Sequence, residues 1–513
     1  MRLFHLLAAT SLTALAACAV GPDFQSPAKP DVASYDSSPL PNHTDSTKGT
    51  AGTTQQFVTG QDISAAWWEI FHSEPLNKLV LQALKSNPDL AAAQASLRAA
   101  EENELAGEGL LFPTITAGYS AQREKVSGAS FGGDFPSLIY TVHTATVSVS
   151  YGLDVFGGNR RYIEELEAQK DYQRFEMEAA RISLTSNVVA TAIQEASLRG
   201  QIAATEKIIA DEIKQRDLLK KQLDAGGIAK TALLAEEALL AQSKAALPPL
   251  EKQLAQTRHA LSVLAGDLPN NAPSATFEFK SIALPATLPV SLPSQLVEQR
   301  PDVKAAEASL HAASAGIGVA IANRLPQITL SADIGDVAGT LGKMFTPGSG
   351  IWSLAAGGTQ TLFDAGTLAH EQGVAEAEYD FAAAQYRKTV LAAFQDVADT
   401  LRALQSDATA LKAQNAAERA AATSLNLAHQ QFEAGSISYL NLLDAERTEQ
   451  QAQLTLVQAE AQRYADTAAL FQALGGGWWN EKPAEDQAAE TDRKAMPDTT
   501  NETAHAVQGW RTQ

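Results

Sequence analysis

Nine histidines and one cysteine, Cys18, are the side chains best suited to holding a metal or attacking a substrate. The histidines are scattered without the close pairing that metal ligation requires. Gly316-Ile317-Gly318 lies in a helical stretch and lacks the strand, third glycine and distal acid of a dinucleotide site. Gly348-Ser349-Gly350 sits in a Gly/Pro-rich loop without the G-x-S-x-G spacing of a nucleophile elbow, and is expected as an external loop. The aromatic run WWEIF from Trp67 could stack a ligand, but packs more naturally as an anchor between an N-terminal arm and helices. The sequence therefore points away from an enzyme, and no catalytic, cofactor-binding or metal-binding residue is expected.

Cys18 has a different chemistry open to it. It follows one basic residue, an apolar stretch and Leu15-Ala16-Ala17, the pattern of a secretory signal over residues 1–17. LAAC resembles a bacterial lipobox, in which the cysteine carries the lipid of the mature protein; Ala19 after it points to the outer membrane. A disulfide framework is excluded with one cysteine. No later stretch is expected to supply the eighteen or so apolar residues of a membrane helix. The chain has 39 Lys+Arg against 59 Asp+Glu, a net charge of −20. That balance argues against nucleic acid as a partner.

The elements that would position any site are written twice. LDAGGIAKTALLAEE from Leu223 is echoed by FEAGSISYLNLLDAE from Phe432, with Gly226 and Gly435 offset by 209. Asn87-Pro88-Asp89-Leu90 is echoed by Arg300-Pro301-Asp302-Val303, and FPTITAGYS from Phe112 by LPQITLSAD from Leu325, both at 213. Phe156 and Phe363 stand 207 apart, and Gly266 and Gly475 again 209. Ordered landmarks at a nearly constant offset indicate a tandem repeat. The expected organisation is an extended arm over 18–62, a first repeat over 63–266, a linker over 267–297, a second repeat over 298–475 and a polar, disordered tail over 476–513.

Each repeat reads helix, strand, loop, strand, very long helix, turn, shorter helix. The first helix is expected from about Pro75 to Leu110. Val147, Val149, Tyr151, Leu153 and Val155 alternate with Thr146, Ser148, Ser150, Gly152 and Asp154, the period-two signature of a strand. Ile328, Leu330, Ala332 and Ile334, then Trp352, Leu354, Ala356 and Leu362, repeat it, giving four strands in all. Proline-free runs from Gly158 to Ala225 and from Gly366 to Ala434 predict helices of about 100 Å, far deeper than a globular core. Pro248-Pro249 is expected to break the first returning helix.

Four strands alone leave two open edges, which hydrocarbon does not tolerate, and are too few to close a barrel. Three chains give twelve strands and a sealed ring. The fold class expected is an α+β membrane protein: a trimeric 12-stranded β-barrel continued by a long α-helical barrel. Tyr119, Tyr151 and Trp352 would then sit among lipid-facing or membrane-interface residues.

CAVGPDF, WWEIF, QRPDV, YGLDVFGG, LPPLEKQLAQTRHAL, AGSISYLNLLDAE and ALGGGW, in that order, resemble the outer-membrane factor family. These are the TolC-like and OprM-like exit ducts of tripartite efflux pumps, and the match is nearest to their lipoprotein, NodT-like branch. The resemblance implies a homotrimer, lipid-anchored in the bacterial outer membrane and reaching across the periplasm. It also implies a periplasmic adaptor, an inner-membrane pump of the RND type, and passive conduction of small molecules to the outside. The alternative is a coiled-coil lipoprotein spacer that conducts nothing, which would explain the long helices and not the strands. On the family pattern, Leu440 and Asp444 form the periplasmic gate, and three Asp444 carboxylates around an axis repel one another and draw cations. Gly226, Gly227, Gly435 and Ser436 mark the turns where adaptor hairpins dock. Ala232 occupies the place of an acidic residue common in TolC-like first turns, and Asn441 that of a second acid in the other, so the acidic ring is single.

Overall fold

The structure is a computed structural model and describes residues 19–37, 41–132, 136–271, 273 and 275–481. The expected signal segment, Cys18 and most of the expected tail lie outside the described residues. The described chain is mainly helical, with six strands among these residues where the sequence led us to expect four. It divides into two compact units.

One unit comprises the described part of Met1–Pro30, with Pro88–Ala180 and Pro301–Ala393. It holds the four-stranded antiparallel sheet, in the order β2 (Thr114–Val126), β3 (Leu138–Leu153), β5 (Gln327–Ala338), β6 (Gly350–Thr359). Here β2 and β6 are the edges, each paired on one side only among the described residues. Register runs unbroken across the sheet: Ala117 faces Val147, Val147 faces Ile334, and Ile334 faces Trp352. Because side chains alternate, directly paired residues share a face, so this row and the row Ile115, Val149, Ala332, Leu354 make one face apolar. The other face carries Thr116, Ser148, Asp333 and Ser353.

The helices of this unit are α2 (Pro88–Glu108), α6 (Pro301–Ala322) and the first parts of α3 (Gly158–Asp224) and α7 (Thr367–Glu433). Helix α6 corrects one expectation. Over an 18-residue window its mean hydropathy reaches 1.2, enough by length and composition for a membrane span. The value comes from its alanines together with Leu310, Ile317, Val319 and Ile321, and Val303, Ala305, Ala308, Leu310 and Ala315 are buried inside the protein.

The second unit contains Asp31–Asn87, Arg181–Arg300 and the described part of Phe394–Gln513. Here the chain forms α1 (Glu74–Ser86), α4 (Lys230–Leu264), α5 (Pro293–Gln299), α8 (Tyr439–Ala473) and the remaining parts of α3 and α7. Three sequence expectations change. The single helix expected over 75–110 is two, α1 and α2, because Asn87 takes an extended conformation (ψ 127) ahead of Pro88. Pro248 and Pro249 do not end α4, which runs 35 residues through both. The stretch expected as an extended arm carries β1 (Gln56–Thr59), which pairs in parallel with β4 (Thr287–Val290).

That small sheet is locked down by polar contacts. Arg463 of α8, fully buried, donates to Thr44 Oγ1 at 2.9 Å and to the Thr53 carbonyl at 2.6 Å. Gln55 Nε2 donates to Thr467 Oγ1 at 3.1 Å. The WWEIF run forms a 3-10 turn whose Trp67 stacks on Phe471 of α8, ring centroids 5.3 Å apart. It is a packing anchor, buried on both partners.

Candidate functional site

In the first unit the sheet places Tyr119, Tyr151 and Trp352 on its apolar face: Tyr119 pairs with Ala145, Tyr151 with Leu330 and Trp352 with Ile334. Ile115, Tyr119, Ile334, Trp352 and Leu354 are all exposed, an apolar surface that nothing among the described residues covers. On the opposite face Asp333 accepts from Ser148 Oγ at 2.6 Å and from Ser353 Oγ at 2.8 Å, so a polar stripe joins three strands. Among the described residues, the backbone groups on the outer sides of β2 and β6 have no strand partner.

Residues 19–24 are fixed close to the end of this sheet. The Val20 amide donates to the Phe156 carbonyl at 3.0 Å, just past β3. Arg161 near the start of α3 donates to the Val20 carbonyl at 3.0 Å and pairs with Asp23 at 2.7 Å. Phe24 stacks on His311 at 4.4 Å. Cys18, two positions before Val20, is outside the described residues.

In the second unit the two small-residue turns close alike. The Gly227 amide donates to the Gln222 carbonyl at 2.8 Å, and the Ser436 amide to the Gln431 carbonyl at 2.9 Å. Both are the six-to-one bond that finishes a helix through a left-handed residue. That residue is Gly226 (φ 77) in one and Gly435 (φ 74) in the other, a conformation that disfavours any side chain.

Behind the turns Leu219, Leu239, Tyr439, Leu442 and Leu443 form a buried core, with Phe432 edge-on to Tyr439 at 5.8 Å. Leu440 and Asp444, one helical turn apart, lie on the exposed side of α8, while Leu442 and Leu443 face inward. The structure thus brings Leu440 and Asp444 to one free surface directly after the second turn.

A polar cluster in the same core went unseen in the sequence. The Tyr439 hydroxyl donates to Glu236 Oε2. Glu212 accepts from Ser243 Oγ at 2.8 Å and Gln450 Nε2 at 2.7 Å, and Glu446 lies 3.9 Å from His429. Written in one dimension, each is an ordinary helical glutamate, and only the packing of four helices shows that they share an interior.

Comparison with known proteins agrees with this architecture. The outer membrane efflux protein family matches residues 79–267 and 292–476, one stretch in each half of the chain. The pyoverdine export outer membrane protein OpmQ of Pseudomonas putida KT2440 is 30% identical over 427 residues, covering 81% of this chain and 89% of that protein. The toluene efflux pump outer membrane protein TtgC, from another strain of Pseudomonas putida, is 28% identical over 485 residues, 93% of this chain and 96% of its own. The solved outer-membrane channel OprN superposes with a TM-score of 0.81 at 27% identity, over 90% of this chain and 100% of that one. With the family pattern covering both halves of the chain and a relative 30% identical over most of its length, the chain belongs to the outer membrane efflux protein family.

Proposed function

We propose that three copies of this outer-membrane efflux protein seal their strand quartets into a twelve-stranded barrel and act as the exit duct of a tripartite pump. The observation that carries this reading is the sheet: one face apolar and exposed from β2 to β6, the other polar, and both edges unpaired among the described residues. In hydrocarbon each unpaired backbone group costs several kcal/mol, so such edges must be covered. With β2, β3, β5 and β6 alternating in direction, β6 of one copy meets β2 of the next antiparallel, and three copies give an even count.

The apolar face then meets lipid, with Tyr119, Tyr151 and Trp352 at its aromatic positions, and the Asp333 stripe lines water. Cys18 carries the lipid anchor; the docking of Val20 and Asp23 beside the sheet's end supports that placement. The glycine turns around Gly226, Gly227, Gly435 and Ser436 receive the hairpins of a periplasmic adaptor. Leu440 and Asp444, exposed together, form the gate ring at that end. The inner-membrane pump is of the RND type, the duct itself is passive, and choice of cargo lies with the pump. The doubled family match over 79–267 and 292–476 supports descent from a tandem duplication.

Reconstitution of the purified protein in planar lipid bilayers tests the reading. Discrete, cation-preferring conductance steps are the expected outcome. Silent bilayers with protein inserted would favour the non-conducting spacer.

A further inference from the structure

Glu212 on α3, Glu236 on α4 and Glu446 on α8 are 3%, 0% and 7% exposed. Each keeps one carboxyl oxygen without a hydrogen-bond partner among the described residues. Among those residues no lysine or arginine forms an ion pair with any of the three; the nearest cation-capable ring is His429, 3.9 Å from Glu446. Other titratable groups facing the cluster are Lys207 and Asp211 from α3, Lys244 from α4, and Glu449 with the neutral Tyr439 hydroxyl from α8. From α7 the titratable group lining it is His429. A cavity of about 530 Å³ opens beside Glu212, His429, Glu446 and Gln215. Gln215 is itself buried, and its Nε2 has no partner among the described residues. Such a polar cavity has room for water and gives protons a route in.

Three buried carboxyls without paired cations cannot all stay ionised. Burial, reinforced by the charges of Glu236 and Glu212, pushes Glu446 up to about 8. Burial also raises Glu236 and Glu212, against the pull of their hydrogen bonds. No group of three or more metal-ligating side chains among the described residues could hold a metal ion. A proton, which requires no coordination shell, is the ligand that fits.

We propose that Glu212, Glu236 and Glu446 form a proton-held latch that keeps the four helices packed behind the two turns, so that separating these helices releases protons. The proposal rests on reading this end of the molecule as the movable gate. All three groups bind protons more tightly when packed than when free. Their contribution to packing is therefore complete below the ordinary glutamate value, 4.5, and is lost as pH rises through the packed values, which for Glu446 is about 8. Acid closes the latch, and alkali loosens it.

Hydrogen exchange on the full-length protein in detergent tests this without requiring conduction. Protection factors, corrected for intrinsic exchange, are followed from about pH 5.5 to 8.5 in peptides spanning residues 215–235 and 430–448. Wild-type protection is expected to fall by up to about tenfold per pH unit for each proton released. E236Q and E446Q, neutral isosteres, are expected to flatten that slope, whereas E237Q at the exposed neighbouring position keeps it. Flat wild-type protection, or an unchanged slope in both E236Q and E446Q, overturns the latch. Silent bilayers with the slope intact remove the pore reading and leave the latch; conducting bilayers with flat protection do the reverse.

Discussion

The hydroxyl of Tyr439, first residue of α8, donates to the carboxylate of Glu236 on α4, 203 positions away in the chain. The bond is buried and joins the element after the second turn to the element after the first. Tyr439→Phe keeps the ring against Phe432 and removes only this link. The expected loss is about 1–3 kcal/mol of local stability, read as faster hydrogen exchange in residues 430–448 with global helix content unchanged. Exchange equal to wild type would show that the bond holds nothing.

Arg463→Met removes the two donations that pin Thr44 and Thr53 to α8. Burial lowers the pKa of this guanidinium, and Asp407, raised to about 8 by its own burial and by the neighbouring Asp466 carboxyl, is pulled back by Arg463. Charged hydrogen bonds in such a site are each worth about 1.5–3 kcal/mol. Limited proteolysis should therefore cut within residues 41–59 at least several times faster than in wild type. Equal cutting rates would mean that β1 alone secures the segment.

Pro248→Ala with Pro249→Ala should stabilise α4. Each proline lacks the amide that continues a helix and crowds the carbonyl four residues earlier, a cost of about 3 kcal/mol in isolation. A rise in thermal midpoint is the expected result. A fall would indicate that the packing around α4 depends on the two prolines.

Asp444→Ala should reduce the preference for cations over anions by about fivefold, the factor that about 1 kcal/mol of Coulomb attraction provides in a water-filled opening. Reversal potentials in a salt gradient measure it. Unchanged selectivity would remove Asp444 from the conduction path.

The strand quartet was readable because its alternation is steep: Val147, Val149 and Tyr151 against Ser148, Ser150 and Gly152 admit one pleated reading. The long helices were readable because two runs lack proline. The β1–β4 pair was hidden because four-residue parallel strands 231 positions apart (Gln56 to Thr287) leave no local signal. Pro248-Pro249 misled because the local rule ignores the rest of the helix: both prolines are exposed, while Leu239 and Leu240 before them and Leu261 after them are buried along the 35-residue α4. Leu440 and Asp444 could be placed on a single face by spacing alone. The buried glutamates could not, since helical Glu212, Glu236 and Glu446 look like solvated residues until four helices are packed together.

Edge pairing between copies can be measured directly. Cysteine pairs, one on β2 between Thr114 and Gln122 and one on β6 between Ile351 and Thr359, are oxidised in the Cys18→Ser background and the products separated by mass. A barrel closed by three chains predicts an inter-chain ladder that stops at the trimer. A ladder that grows beyond three chains, or no inter-chain bond at any register, would contradict it.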